Sequence, residues 1–104
     1  MRDKNHNILF EPIKLGPVQS KNRFYQVPHC SGMGWARPKT LAAMRGIKAE
    51  GGWGVVCTEY CSVHPSSDDA PYPYARLWNK DDIKSHLFTT NKIHEHNALA
   101  GVEL

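Results

Sequence analysis

The sequence lacks most of the features that would place it in a special class. No apolar run approaches the roughly 20 residues that span a bilayer, so no membrane partner is expected. Residues 1–7 are polar and hold no apolar core of a secretion signal, which makes the cytoplasm the expected location. Basic residues outnumber acidic ones only slightly, 13 against 10, and are scattered among them. Without a basic run there is no nucleic-acid face. Cysteine is scarce: three residues, an odd number, in a chain with no export signal, do not make a disulfide framework. Cys57, Cys61 and His64 are close in sequence, but the second short-spaced pair that zinc sites usually show is missing, so no metal site is expected. Apolar (40%) and charged (22%) contents are ordinary and suggest neither disorder nor a coiled coil. The 104 residues have room for one small domain.

What is present centres on the stretch from Asn22 to Cys30. Phe24, Tyr25 and Val27 are β-formers, and Pro28 cannot donate to a ladder, so a short strand should stop there. His29 and Cys30 are left at its carboxyl end, before a loop containing Ser31, Gly32 and Gly34. In α/β proteins that edge is where ligands and chemistry collect. A nucleophilic thiol beside an imidazole fits the pattern, and so does a buried structural cysteine beside a surface histidine.

Upstream, Ile8 to Lys14 is apolar enough for a strand, Gly16-Pro17 signals a turn, and Val18 to Lys21 returns, which predicts an antiparallel hairpin over 8–21. Phe10, Ile13 and Leu15 would supply its apolar contact. Downstream, Pro38 suits a first helical position, and Leu41, Met44 and Ile47 recur at helical spacing with alanines between them. Gly46 costs that helix about 1 kcal/mol relative to alanine, and Gly51 and Gly52 end it. Trp53 to Tyr60 reads as a strand apolar on both faces. Residues 61–78, with three prolines and a Ser-Ser-Asp-Asp cluster, read as a long loop of the kind that carries function. Asn79 can cap a helix with Asp81 and Asp82 in its first turn and Ile83, Leu87, Thr90 and Ile93 on its apolar side. Asn97 can end it, and Ala98 to Leu104 reads as a third strand. The order over 22–104 is βαβαβ, an α/β pattern of parallel strands that fits a (β/α)8 barrel or an open doubly wound sheet.

Five motifs then point to a family: Ile8-Leu9-Phe10-Glu11-Pro12-Ile13, the run from Asn22 to Cys30, Lys48-Ala49-Glu50-Gly51-Gly52-Trp53, Thr58-Glu59-Tyr60-Cys61, and Ala98 to Leu104. In these the chain resembles the amino-terminal part of the Old Yellow Enzyme (NADH:flavin oxidoreductase) family, in its trimethylamine dehydrogenase-like branch. The resemblance implies the amino-terminal portion of a (β/α)8 TIM barrel preceded by a β-hairpin, with 1–104 as part of an FMN-binding domain. It implies an enzyme that oxidatively demethylates a methylated amine.

Residue by residue, Cys30 matches the cysteine whose sulfur bonds carbon 6 of the FMN ring, held by the backbone of Val27, Pro28 and His29. His29 would stabilise the thiolate or the developing flavin charge, or only hydrogen-bond the cofactor. Tyr60 matches an aromatic of a bowl around the substrate's cation, since ammonium groups poor in donors are held by π faces. Relatives acting on dimethylamine or histamine carry a non-aromatic residue there, so Tyr60 implies a bulkier methylated ammonium. Glu103 matches a polar position at the flavin's pyrimidine edge, and Glu59 belongs with the cofactor-binding residues. The loop from Ser31 to Arg37 departs from the family, with Met33 and Trp35 placed to reshape the pocket mouth, and His64, Tyr72 and Tyr74 would line the entrance. An electron-transfer flavoprotein or similar acceptor, a homodimer at full length, and a [4Fe–4S] cluster bound by cysteines beyond Leu104 complete what the resemblance implies.

Two other readings stay open. One is an NAD(P)H-dependent reductase of enals or dienes in the same family, with FMN not covalently bound. The other is a non-catalytic metal-binding module using Cys30, Cys57, Cys61 and His64, which would carry zinc and no yellow colour. A whole barrel needs about 250 residues, of which 104 are under half, and the last strand would present a bare parallel edge. The isolated 104-residue chain is therefore expected to be unstable or to aggregate. A cooperative thermal transition from the purified chain would contradict this.

Overall fold

Gly16 adopts φ +58° in the turn that joins β1 (Ile13–Leu15) to β2 (Val18–Ser20). The pair is antiparallel with Leu15 opposite Val18, which leaves a two-residue loop whose first position needs the positive φ that glycine supplies. The computed structural model describes residues 2–69 and 73–104. Ahead of the hairpin, the strand expected from Ile8 is absent. Lys4–Phe10 winds instead into a 3-10 helix, capped by the Asp3 side chain, which accepts the Asn5 amide at 2.9 Å. Such a local side-chain cap offers the backbone an alternative to a ladder. Pro12 favours an extended Glu11, so the helix stops at Phe10 and strand pairing starts only at Ile13. Phe10 and Leu15 stay exposed. The apolar contact at this end is a row of rings, Phe10 edge-on to Phe24 (5.1 Å) and Phe24 edge-on to Trp53 (6.1 Å).

The second sheet is parallel, in the order β3 (Tyr25–Gln26), β4 (Val55–Tyr60), β5 (Leu99–Glu103). Two helices, α1 (Pro38–Glu50) and α2 (Lys80–His94), alternate with these strands. β4 is central and buried from Val55 to Glu59. One core of Ala49, Val56, Ile93 and Ala98 joins both helices to the sheet.

The buried faces of the helices differ from the spacing-based ones. On α1 they are Leu41, Ala42, Arg45, Gly46 and Ala49, while Ile47 is 69% exposed. Gly46 explains the rotation. A Cβ there would stand 3.4 Å from Lys92 Cβ, so the glycine that looked like a cost is the point where α2 comes close to α1. On α2 the buried residues are Asp82, Thr89 and Ile93, with Ile83 and Leu87 about half exposed. Asn97, at φ +54°, follows the last turn in the left-handed conformation that asparagine tolerates. Among the described residues no helix is long and apolar enough to cross a membrane.

Asp82 fastens the start of α2 to the irregular segment before it. Asn79 and Asp82 form a reciprocal capping box. Asp82 Oδ1 accepts Arg76 Nε at 2.9 Å, and Oδ2 accepts the Trp78 amide at 3.0 Å and the Asn79 amide at 3.3 Å. The Arg76 guanidinium lies between the rings of Trp35 (4.7 Å) and Trp78 (4.8 Å). Burial alone would raise the Asp82 pKa, but the hydrogen bonds from Arg76, Trp78 and Asn79 outweigh it and hold the carboxyl below its ordinary value. Its contribution is therefore fully present above the unfolded pKa of about 4 and is lost as pH falls through the lower folded value. Asp82→Ala is expected to fray the first turn of α2. Loss of the cap should raise amide exchange there roughly tenfold, equivalent to ~1–2 kcal/mol of local opening. Unchanged exchange at Asp82 and Ile83 would refute the anchoring role.

Candidate functional site

The parallel pairing of β3 with β4 continues past the strand, where the His29 amide donates to the Thr58 carbonyl at 3.4 Å. Cys30 then turns away from the sheet and its thiol is exposed. The loop behind it is held by one side chain. Glu59, on β4 and fully buried, accepts the amides of Ser31 and Gly32 (2.6 Å) on Oε2 and those of Met33 (3.0 Å) and Gly34 (2.6 Å) on Oε1. Two local features let four amides converge on one carboxylate. Gly32 takes φ +73°, and Gly34 has no Cβ where one would lie 2.9 Å from Glu59 Oε1. Glu59, expected among the cofactor-binding residues, thus has both oxygens engaged by the loop.

From the other side Arg45, also fully buried, donates through Nη2 to the His29 carbonyl, and its Nη1 lies 3.5 Å from His29 Nδ1. Arginine can only donate, so in that contact Nδ1 can serve only as the acceptor. Burial lowers the Arg45 pKa, opposed by the negative charge of Glu59 and of the cysteines nearby.

Cys30, Ser31, Gly32 and Tyr74 line a cleft of about 360 Å³. Tyr74 stands with its ring 5.9 Å from that of Tyr60 at 57°. Its carbonyl accepts the Trp35 amide at 2.8 Å, so the long loop and the Cys30 loop form one rim. Tyr60 donates its hydroxyl to Asp69 at 2.9 Å. That bond, then burial and the Asp69 charge, push the phenol up to about 12, so at neutral pH Tyr60 is a neutral ring and no base.

Of the other expected residues, Val27 is exposed, Pro28 half-buried, and His29 exposed. Glu103 is exposed at the end of β5, opposite Tyr60 in the ladder. Met33 is half-buried in the loop, and Trp35 lies against Arg76. His64 is exposed and bonded to Ser66, and Tyr72 lies outside the described residues. The remaining cysteines do not converge on Cys30. Cys57 Sγ lies 3.4 Å from the Tyr25 hydroxyl, in space left by Gly101, where a Cβ would be 2.5 Å from the sulfur. Cys61 sits 3.8 Å from His86 Nε2, and burial pushes its thiol up to about 11. Among the described residues no three side chains group as metal ligands. Sequence reasoning missed Arg45 and Asp69. For Arg45 a signal was there, a lone charge at the i+4 position between Leu41 and Ala49 on the buried face.

Residues 8–104 match the NADH:flavin oxidoreductase / NADH oxidase family. The chain is similar to the dimethylamine dehydrogenase of Hyphomicrobium sp. (strain x), 50% identical over 103 residues, which is 99% of this chain and 14% of that protein. Among solved structures, histamine dehydrogenase from Rhizobium sp. 4-9 superposes with a TM-score of 0.91 at 50% identity, over 97% of this chain and 16% of that one. The 6-hydroxypseudooxynicotine amine oxidase from Pseudomonas geniculata N1 gives 0.93 at 48% identity, over 100% and 16%. The chain spans about one-seventh of the length of that dimethylamine dehydrogenase. With nearly all of its length matched, the chain belongs to the NADH:flavin oxidoreductase / NADH oxidase family.

Proposed function

We propose that the protein is an FMN-dependent oxidoreductase that oxidatively demethylates a methylated amine, with this chain as one arc of a (β/α)8 barrel. The observation that carries the reading is the exposed Cys30 thiol at the carboxyl edge of the parallel sheet, on the same rim as the Tyr60–Tyr74 ring pair. Relatives named as amine dehydrogenases and an amine oxidase, at about half identity, support the substrate class.

The residues present fit a flavin. The thiol opens on a cleft, and beside it the Ser31 hydroxyl is buried with no hydrogen-bond partner among the described residues. When bound, FMN supplies the acceptor for the two electrons taken from the amine. Cys30 would hold it through sulfur, as a thiolate, because the thiol is a far weaker nucleophile. The backbone of Val27, Pro28 and His29 and the carboxylate of Glu103 would border the ring. Tyr60 would offer a π face to the substrate cation, with the Asp69 carboxylate adding negative potential behind it. A trimethylamine-like ammonium suits that neutral aromatic wall. Electrons would leave through an electron-transfer flavoprotein or similar acceptor, from a homodimer.

Precipitating the purified flavoprotein with acid tests the attachment. Flavin absorbance should remain in the pellet of the wild type and leave with the supernatant of Cys30→Ala. Flavin released from both would move the reading to a reductase with dissociable FMN. For the substrate, Tyr60→Leu is expected to raise KM for trimethylamine roughly tenfold, the loss of one cation–π contact of ~1–2 kcal/mol. An unchanged KM would remove Tyr60 from the cation site.

A further inference from the structure

Glu59 is a carboxylate withdrawn from water, and burying such a group is costly unless it is hydrogen-bonded. It has no ion-pair partner within 4 Å among the described residues. Its charge is met by four amides, and these belong to the four residues directly after Cys30. Charge-assisted bonds of this kind are short and strong. The peptide before Cys30 is held too, through the His29 carbonyl on Arg45 and the His29 amide on Thr58. Cys30 is therefore an exposed side chain on a backbone fixed at both ends, and among the described residues no hydrogen bond restrains its sulfur.

We propose that Glu59 is the positioning residue for Cys30: its carboxylate gathers the amides of Ser31 to Gly34 and, opposite Arg45 on the His29 carbonyl, sets the direction from which the thiol reaches a planar electrophile in the cleft. A carboxylate is required by the count of donors. Two oxygens can take two amides each, whereas a glutamine would turn an NH₂ group toward two N–H donors. The Tyr74 ring lines the same cleft beside Gly32 and meets the Tyr60 ring, so a shift of the loop changes the width of the cleft as well as the reach of the sulfur.

The inference rests on the reading of Cys30 as the flavin-bonding thiol, and the experiment separates the two. Attachment replaces a flavin C6–H bond by an Sγ–C6 bond, with the proton passing to solvent and two electrons to dioxygen. In the wild-type holoenzyme, amides 31–34 should exchange at least ~100-fold more slowly than in an unstructured peptide. Free exchange there overturns the proposal. In Glu59→Gln the flavin retained in the acid pellet should fall roughly tenfold while the FMN bound before acid stays within about twofold. Glu59→Asp, which keeps two oxygens on a shorter arm, should recover part of the retained flavin.

A carboxylate with a merely structural role would lose bound and retained flavin together, and that result also overturns the proposal. Gly34→Ala disturbs the same bonds without changing charge, because its Cβ would lie 2.7 Å from Ala75 Cβ and 2.9 Å from Glu59 Oε1. It carries the same expectation if Glu59→Gln does not fold. Retention equal to wild type in both variants refutes the role. If the wild-type pellet is colourless, the attachment reading fails and Cys30 is a free thiol. Its alkylation by iodoacetamide then decides, with buried Cys57 and Cys61 as internal references. A tenfold change in rate between wild type and Glu59→Gln supports the positioning role, and equal rates end it.

Discussion

Four peptide N–H groups converging on the Glu59 carboxylate are the constraint on which the rim of this molecule depends. A glycine-containing loop after a two-residue strand has little reason to hold one shape, since it buries few apolar groups to offset the entropy of ordering it. Glu59 changes that balance. It projects from the most buried strand of the sheet, so its own position is set by the core, and it passes that rigidity to the loop through its two oxygens. Gly32 and Gly34 are there because the convergence needs one left-handed residue and one with no Cβ.

The second loop is tied in by different means. Residues 61–69 and 73–78 have almost no regular structure, yet they are held at several points. The Ser62 amide donates to the Ala75 carbonyl and the Leu77 amide to the Ser62 carbonyl. Arg76 is stacked between two tryptophans and paired with Asp82 at the start of α2. One of those tryptophans, Trp35, belongs to the Cys30 loop, and its amide is bonded to the Tyr74 carbonyl. The thiol and the paired rings therefore belong to one rim made of the two loops at the carboxyl ends of β3 and β4. That edge is where ligands gather in α/β folds.

Charge placement also divides the residues by task. Tyr60, kept neutral by its bond to Asp69, can act as a π surface and hydrogen-bonding group. Cys61, with its thiol pushed to about 11 inside the core, is inert at neutral pH. Of three cysteines only Cys30 is accessible, so selectivity among them comes from burial.

The sequence by itself determined the succession of elements and the family. Pro28 marked the end of a strand, Pro38 the start of a helix, and Asn79 with Asp82 the cap of another, because each acts through its own or neighbouring backbone. Local signals failed where a competitor was non-local or was missed. Ile8 looked like a strand until the Asp3 cap took the backbone, and Gly46 looked like a defect until α2 was seen against it. Ile47, Ile83 and Leu87 read as core by spacing, but helix rotation is set by what the helix meets. Only the tertiary structure brought Glu59 to the loop 25–28 residues earlier, Arg45 under His29, and Tyr74 beside Tyr60. Those meetings depend on strand register and helix packing, which no spacing along the chain encodes.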